Sequence, residues 1–181
     1  TNPYASNYDL TATIEDGSCT YDTPTEGFVA WYPFTGNAED ASGNGNNGTV
    51  NGATLITDRF GNENSAYSFD GDNDYITTPL IPNFSLDHNF TFGAWYKTTT
   101  SNISQRILGV RKNFNSVTIL LGFHSPEGIH FQLREDISNN TELLGDFSST
   151  DGYWHNVMGV FNTVSNLTVL YLDGKIIDST Y

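Results

Sequence analysis

Basic residues are scarce in this chain: seven Lys and Arg stand against 21 Asp and Glu, for a net charge of −14. Without a basic footprint, nucleic acid and anionic membrane surfaces are poor partners. No run of about 18 apolar residues occurs, so no transmembrane helix and no membrane insertion are expected. Cys19 is the only cysteine, so no disulfide can close within these residues. In a chain that otherwise reads as secreted, an unpaired Cys raises the question of a partner elsewhere. No signal peptide opens the text at Thr1; either one was removed or the chain is an internal piece of a longer one. Nucleophile elbows, phosphate loops and H-E-x-x-H pairs are also missing. Helical periodicity is absent over any window of about 11 residues.

What remains is aromatic and β-prone. Phe, Trp and Tyr make up 14% of the 181 residues, and such side chains suit pleated, half-buried surfaces. Strands are expected at residues 28–34, 49–56, 65–69, 75–78, 90–97, 106–110, 117–123, 129–133, 153–161, 167–172 and 175–178, with Asn51-Gly52, Asp70-Gly71 and Asp173-Gly174 as turn signals. Along residues 90–97, Phe90, Phe92, Ala94 and Tyr96 alternate with Thr91, Gly93, Trp95 and Lys97. That spacing puts one set on each face of a sheet. Many short strands with turns between them indicate an all-β sandwich or barrel. The acidic balance has two readings: solubility, or calcium binding through hard oxygen ligands.

Two blocks carry a family resemblance. The first is FVAWYPFTGNAEDASGNGNNGTVNGA, followed after a spacer by FGNENSAYSFDGDNDYI; the second is YWHNVMGVF with LTVLYLDGKII. Together they resemble the laminin G-like, concanavalin A-like jelly-roll family. The resemblance implies an antiparallel jelly-roll β-sandwich over residues 28–181, used chiefly for recognition. Residues 23–27 read as a linker. Residues 1–22 are similar to a short Cys-containing repeat of bacterial surface proteins, through Asn2, Pro3, Ala5, Asn7, Tyr8, Asp9 and the Asp16-Gly17-Ser18-Cys19 string. A plain linker explains that stretch equally well. Family members usually continue beyond a YLDGK hairpin with further strands. The expectation is that the sandwich is truncated and that Tyr181 is not its natural end, the alternatives being a strand from another chain or a nick.

The resemblance also implies a structural Ca²⁺. Asp40 and Asn44 in the Gly-Asn loop, and Asp70 and Asp72 in FDGDNDY, are its candidate ligands. The alternative is that these residues simply make turns. For carbohydrate, the candidates are Tyr75, Arg106, His124 and Arg134, with Phe123, Gln132 and Tyr153 behind them. His155 matches the family's W-H-x-V strand and is read as a packed, hydrogen-bonded residue. Trp31, Trp95 and Trp154 are expected in packing. Zinc is not expected at His124 and His130, which flank a Pro-Glu-Gly turn without further ligands. Glycosidase chemistry needs two carboxylates across a bond, and the family's E-x-D-x-x-E string is missing; Glu127 and Glu142 lie in turn-like text.

These features describe a non-catalytic, secreted or cell-surface bacterial module for binding or adhesion. Its partner would be a glycan or a cell-surface protein, with other domains of a longer parent chain alongside. The alternatives are a structural spacer of a large adhesin or filament, or an ancillary domain of a polysaccharide-degrading enzyme.

Overall fold

The computed structural model describes residues 27–79, 88–101, 103–111, 118–134 and 140–181. The Cys repeat expected at residues 1–22 lies outside them. The described residues hold twelve strands and no helix, and every strand pairing is antiparallel. The chain forms two compact units, Thr1–Pro82 and Asn83–Tyr181.

The first unit contains β1 (Thr49–Asn51), β2 (Thr54–Ile56), β3 (Ala66–Ser68) and β4 (Tyr75–Thr77). β1 pairs with β4, and β2 with β3. The two ladders form one interrupted hairpin. Gly52 and Ala53 on one side face residues 69–74 on the other, so the FDGDND text is a bulge between ladders. Gly52 makes the closure possible: it has φ of +80°, and a Cβ there would lie 1.8 Å from Asp74 Oδ1.

The expected strand at residues 28–34 does not join a ladder. Its backbone is claimed by the Gly-Asn loop instead. The Trp31 N–H donates to Asp40 Oδ1 at 2.9 Å, and the Ala41 N–H donates to the Trp31 carbonyl at 2.8 Å. The side-chain amides of Asn44 and Asn46 donate to the carbonyls of Phe28 and Val29. Side chains thus do what a neighbouring strand would have done.

The second unit is a sandwich. One sheet orders β12 (Lys175–Thr180), β11 (Leu167–Leu172), β10 (Trp154–Asn162) and β5 (Phe90–Lys97); the other orders β6 (Gln105–Arg111), β7 (Thr118–His124), β8 (Gly128–Arg134) and β9 (Asn140–Leu144). Their facing sides make one core. Tyr96, Val157 and Leu170 come from the first sheet; Ile119, Leu121, Phe123, Ile129, Phe131, Leu133 and Leu143 come from the second. On β7 and β8 the residues that enter the core are the odd-numbered ones, as a period of two requires. Tyr96 buries its ring against Phe123 and bonds its hydroxyl to Ser149. Burial pushes that phenol up to about 12.

Two expectations are corrected here. Glu142 lies on β9 rather than in a turn. Trp95 is 47% exposed and Trp31 37%, so neither is packed in the core. For Trp95 the cause is its parity on β5: Ala94 and Tyr96 take the inward side.

His155 is held as expected of a packed residue. Its Nδ1 meets Asp173 Oδ2 at 2.7 Å and its Nε2 meets Asp151 Oδ1 at 3.0 Å. The imidazole joins the loop before β10 to the β11–β12 turn, where Asp173 and Gly174 both have positive φ. Burial opposes charge on the ring, but the bonds to Asp173 and Asp151 outweigh it and raise its pKa. Both carboxyls are lowered: Asp151 first by the Tyr153 N–H and then by His155, Asp173 by His155 against the cost of burial. A raised histidine contributes stability below its unfolded pKa of about 6.5 and loses it as pH rises. The lowered carboxyls contribute above about 3.9 and lose it as pH falls. The triad is therefore strongest between roughly pH 4 and 6.5. His155→Gln should lower Tm on the order of a few degrees near pH 5.5. Near pH 8.5 the loss should be smaller, which thermal melts at the two pH values would check.

Candidate functional site

The outer face of the second sheet of the sandwich carries a groove. Alternation on β8 turns Ile129, Phe131 and Leu133 into the core and leaves His130, Gln132 and Arg134 on the other side. Register then builds two rows across the strands. One runs Arg106, Gly122, His130, Leu144; the next runs Gly109, Leu120, Gln132, Glu142. Gly122 leaves a notch between Arg106 and His130. No larger residue fits there, because a Cβ would lie 2.2 Å from the Gln105 carbonyl oxygen, where β6 shifts register. The resulting cavity of about 510 Å³ is lined by Ser104, Arg106, Leu120, Phe123, His124, His130, Gln132 and Glu142. Its size falls within the ~300–1,000 Å³ of ordinary ligand sites.

Polar groups in the groove are unevenly satisfied. The Gln132 and Asn140 side-chain amides both donate to Glu142 Oε1 at 2.7 Å. Those bonds, Asn140 first, hold the Glu142 carboxyl below its usual range despite some burial. His124 Nδ1 meets Glu127 Oε2 at 2.8 Å, and its ring lies 5.3 Å from the His130 ring. His130 is only 4% exposed, and neither of its ring nitrogens has a hydrogen-bond partner. Burial pushes its pKa down, with Glu142 acting the other way, so the ring is neutral near pH 7. A neutral imidazole carries one donor and one acceptor. Leaving such groups buried and unsatisfied costs about 1–3 kcal/mol each. Native interiors rarely keep that arrangement without water or ligand chemistry to explain it.

Of the four residues expected to bind carbohydrate, Arg106 and His124 meet in this groove. Arg134 shares the face but lies one row further, between Thr118 and Asn140. Tyr75 is on β4 of the first unit, 52% exposed. Among the secondary candidates, Gln132 lines the groove, Phe123 belongs mainly to the core, and Tyr153 is exposed just before β10. His130 and Glu142 were not among the expected sugar ligands. The parity of GIHFQLR already separates His130 from Ile129 and Phe131, but nothing in that string tells which strand lies alongside.

The expected calcium ligands fall in two loops. The Asp40 carboxylate accepts the N–H groups of Trp31, Ser42 and Asn46 at 2.8–2.9 Å. With the Ser42 hydroxyl, these outweigh burial and hold the group well below the usual carboxylate range. Asn44 turns its NH₂ toward carbonyl oxygens that a cation would have needed. That donor set does not fit a hard cation at the Gly-Asn loop. In the bulge, Asp70 Oδ1 accepts from Asp72, Asn73 and Asp74 N–H groups, and these bonds lower its pKa, Asp72 first. Asp74 Oδ2 accepts from the Asp70 N–H at 3.0 Å. Among the described residues no three His, Cys, Asp or Glu side chains come together as a cluster that could hold a metal.

No curated protein matches the chain. A laminin G-type family model, described as the concanavalin A-like lectin/glucanases superfamily, matches residues 70–180. That span includes eight of the strands above from end to end in the second unit, together with residues 70–74 of the bulge and β4. With a two-sheet antiparallel sandwich and a matched span of more than half its length, this chain belongs to the concanavalin A-like lectin/glucanases superfamily.

Proposed function

We propose that this chain is an extracellular glycan-binding module and that the groove on β6–β9 is where the glycan binds. At family level the superfamily supports a carbohydrate- or protein-binding module, typically non-catalytic and typically extracellular. The observation that carries the finer reading is His130, whose buried ring nitrogens lack partners on the floor of a groove bordered by Arg106, Gln132 and Glu142. Sugar hydroxyls both donate and accept, and so complement a neutral imidazole and a side-chain amide. Among the described residues Glu142 is the one carboxylate lining the groove, whereas glycoside hydrolysis ordinarily uses two; this supports binding over cleavage. No helix among the described residues is long and apolar enough to cross a membrane.

Calcium enters the proposal only at the bulge. There the Asp72 carboxylate and Asp70 Oδ2 carry none of the bonds that occupy Asp70 Oδ1. A cation taking those oxygens would stiffen the turn.

A glycan array probed with and without Ca²⁺ tests both parts. Binding by the wild-type chain should fall about fivefold to tenfold in Gln132→Ala, the cost of one lost hydrogen bond. Unchanged binding in that variant would move the site away from the groove. Calcium should raise Tm and EDTA should lower it, with Asp72→Asn abolishing the shift; a Tm indifferent to both would remove the ion.

A further inference from the structure

We propose that the groove selects an acidic saccharide, a sugar carrying one carboxylate among free hydroxyls, with the carboxylate held by Arg106 and the hydroxyls by His130 and Gln132. This rests on the glycan-binding reading above and specifies its ligand class.

The Arg106 side chain is exposed at the groove's edge and has no hydrogen bond or ion pair among the described residues. A guanidinium is always charged and presents a planar fork of donors that matches a carboxylate in two parallel bonds. Among the described residues lining the groove, the carboxylate that could neutralise it is Glu142. That residue stands on β9, three strands from β6, so the two backbones are about 14 Å apart. Among the described residues no ion pair joins the two side chains. Two amides already engage Glu142 Oε1. The positive end of the groove is thus left for a ligand.

The rest of the groove argues against a simple anion. Sulfate or fully ionised phosphate only accepts hydrogen bonds. It could satisfy one nitrogen of a neutral His130 and would meet Glu142 as a like charge. A polyol satisfies a donor and an acceptor at once. The net charge of −14 also disfavours a densely charged polyanion, through repulsion beyond the groove itself. One acid group among several hydroxyls fits all three conditions. Gly122 sets the distance between the two ends, with Arg106 and His130 on either side of it in one row.

Isothermal titration of the whole chain would test this, using trimers of galacturonate, glucuronate and mannuronate, their methyl esters, neutral gluco-oligosaccharides and a short oligoglutamate peptide. At least one uronate trimer should bind about tenfold or more tighter than its own ester, the size of one good charged contact. Arg106→Gln should erase that difference, while Arg106→Lys keeps part of it. Arg106 is exposed, so circular dichroism should show both variants folded as the wild type. Acid and ester binding equally would overturn the acidic ligand and leave the glycan reading standing. Binding of no saccharide by the wild type would overturn both. Oligoglutamate binding more tightly than every uronate would replace the saccharide by a peptide and overturn the proposal.

Discussion

Phe131→Ala is expected to destabilise the sandwich by about 3–5 kcal/mol, the usual cost of removing a buried aromatic ring. Phe131 has no solvent exposure and lies at the centre of the core. Its ring reaches across to Gly159 of the opposite sheet: a Cβ on Gly159 would lie 2.6 Å from its Cδ2, Cε2 and Cζ atoms. The glycine is therefore the socket for the ring, and Gly159→Ala should itself cost about 1–3 kcal/mol through overpacking. The two sites are coupled. Phe131→Leu shortens the side chain at the point of conflict, so the double variant with Gly159→Ala should lose less than the sum of the single losses. Urea unfolding of the four proteins measures this. Strict additivity would show that the ring and the glycine do not meet.

Gly128→Ala should produce the second large loss, and it should reach the groove as well. Gly128 opens β8 at φ of +124°, and its Cβ would lie 2.4 Å from the Gly145 carbonyl oxygen and the Asp146 carbonyl carbon. Both obstacles are backbone, held by bonds between Ile129 and residues 145 and 146. Strain of about 1–3 kcal/mol and overpacking of about 1–3 kcal/mol act together. Gly174→Ala is the control: its φ is +74° but nothing lies within 4 Å, so only the left-handed penalty of about 1–2 kcal/mol applies. Because Gly128 pairs with His124, ligand affinity should fall in Gly128→Ala and hold in Gly174→Ala. Equal stability losses in the two variants would show that the clash is relieved at no cost.

Local chemistry made much of the fold readable. Period-two alternation located β5, short β-prone runs between turns located β6, β7, β8, β10 and β11, and Asp173-Gly174 placed the last hairpin. β9 escaped because NTELL is mostly polar, having only Leu143 to bury. Residues 28–34 look like a strand by composition, yet Asp40, Asn44 and Asn46 take their backbone groups. That competition depends on side chains up to 17 residues away, beyond the reach of a local pattern.

The candidate site divides the same way. Arg106, His124 and Gln132 could be suspected from residue type. Their meeting could not, since it depends on register between strands and on a shift of register beside Gly122. The sequence by itself determined an all-β, strongly acidic domain of a recognition superfamily, because alternation and turn chemistry are properties of neighbouring residues. Only the tertiary structure decided that Arg106, His130 and Glu142 share one groove and that His130 is buried there without partners. Pairing between distant strands, and the loss of water it brings, is a property of the folded chain.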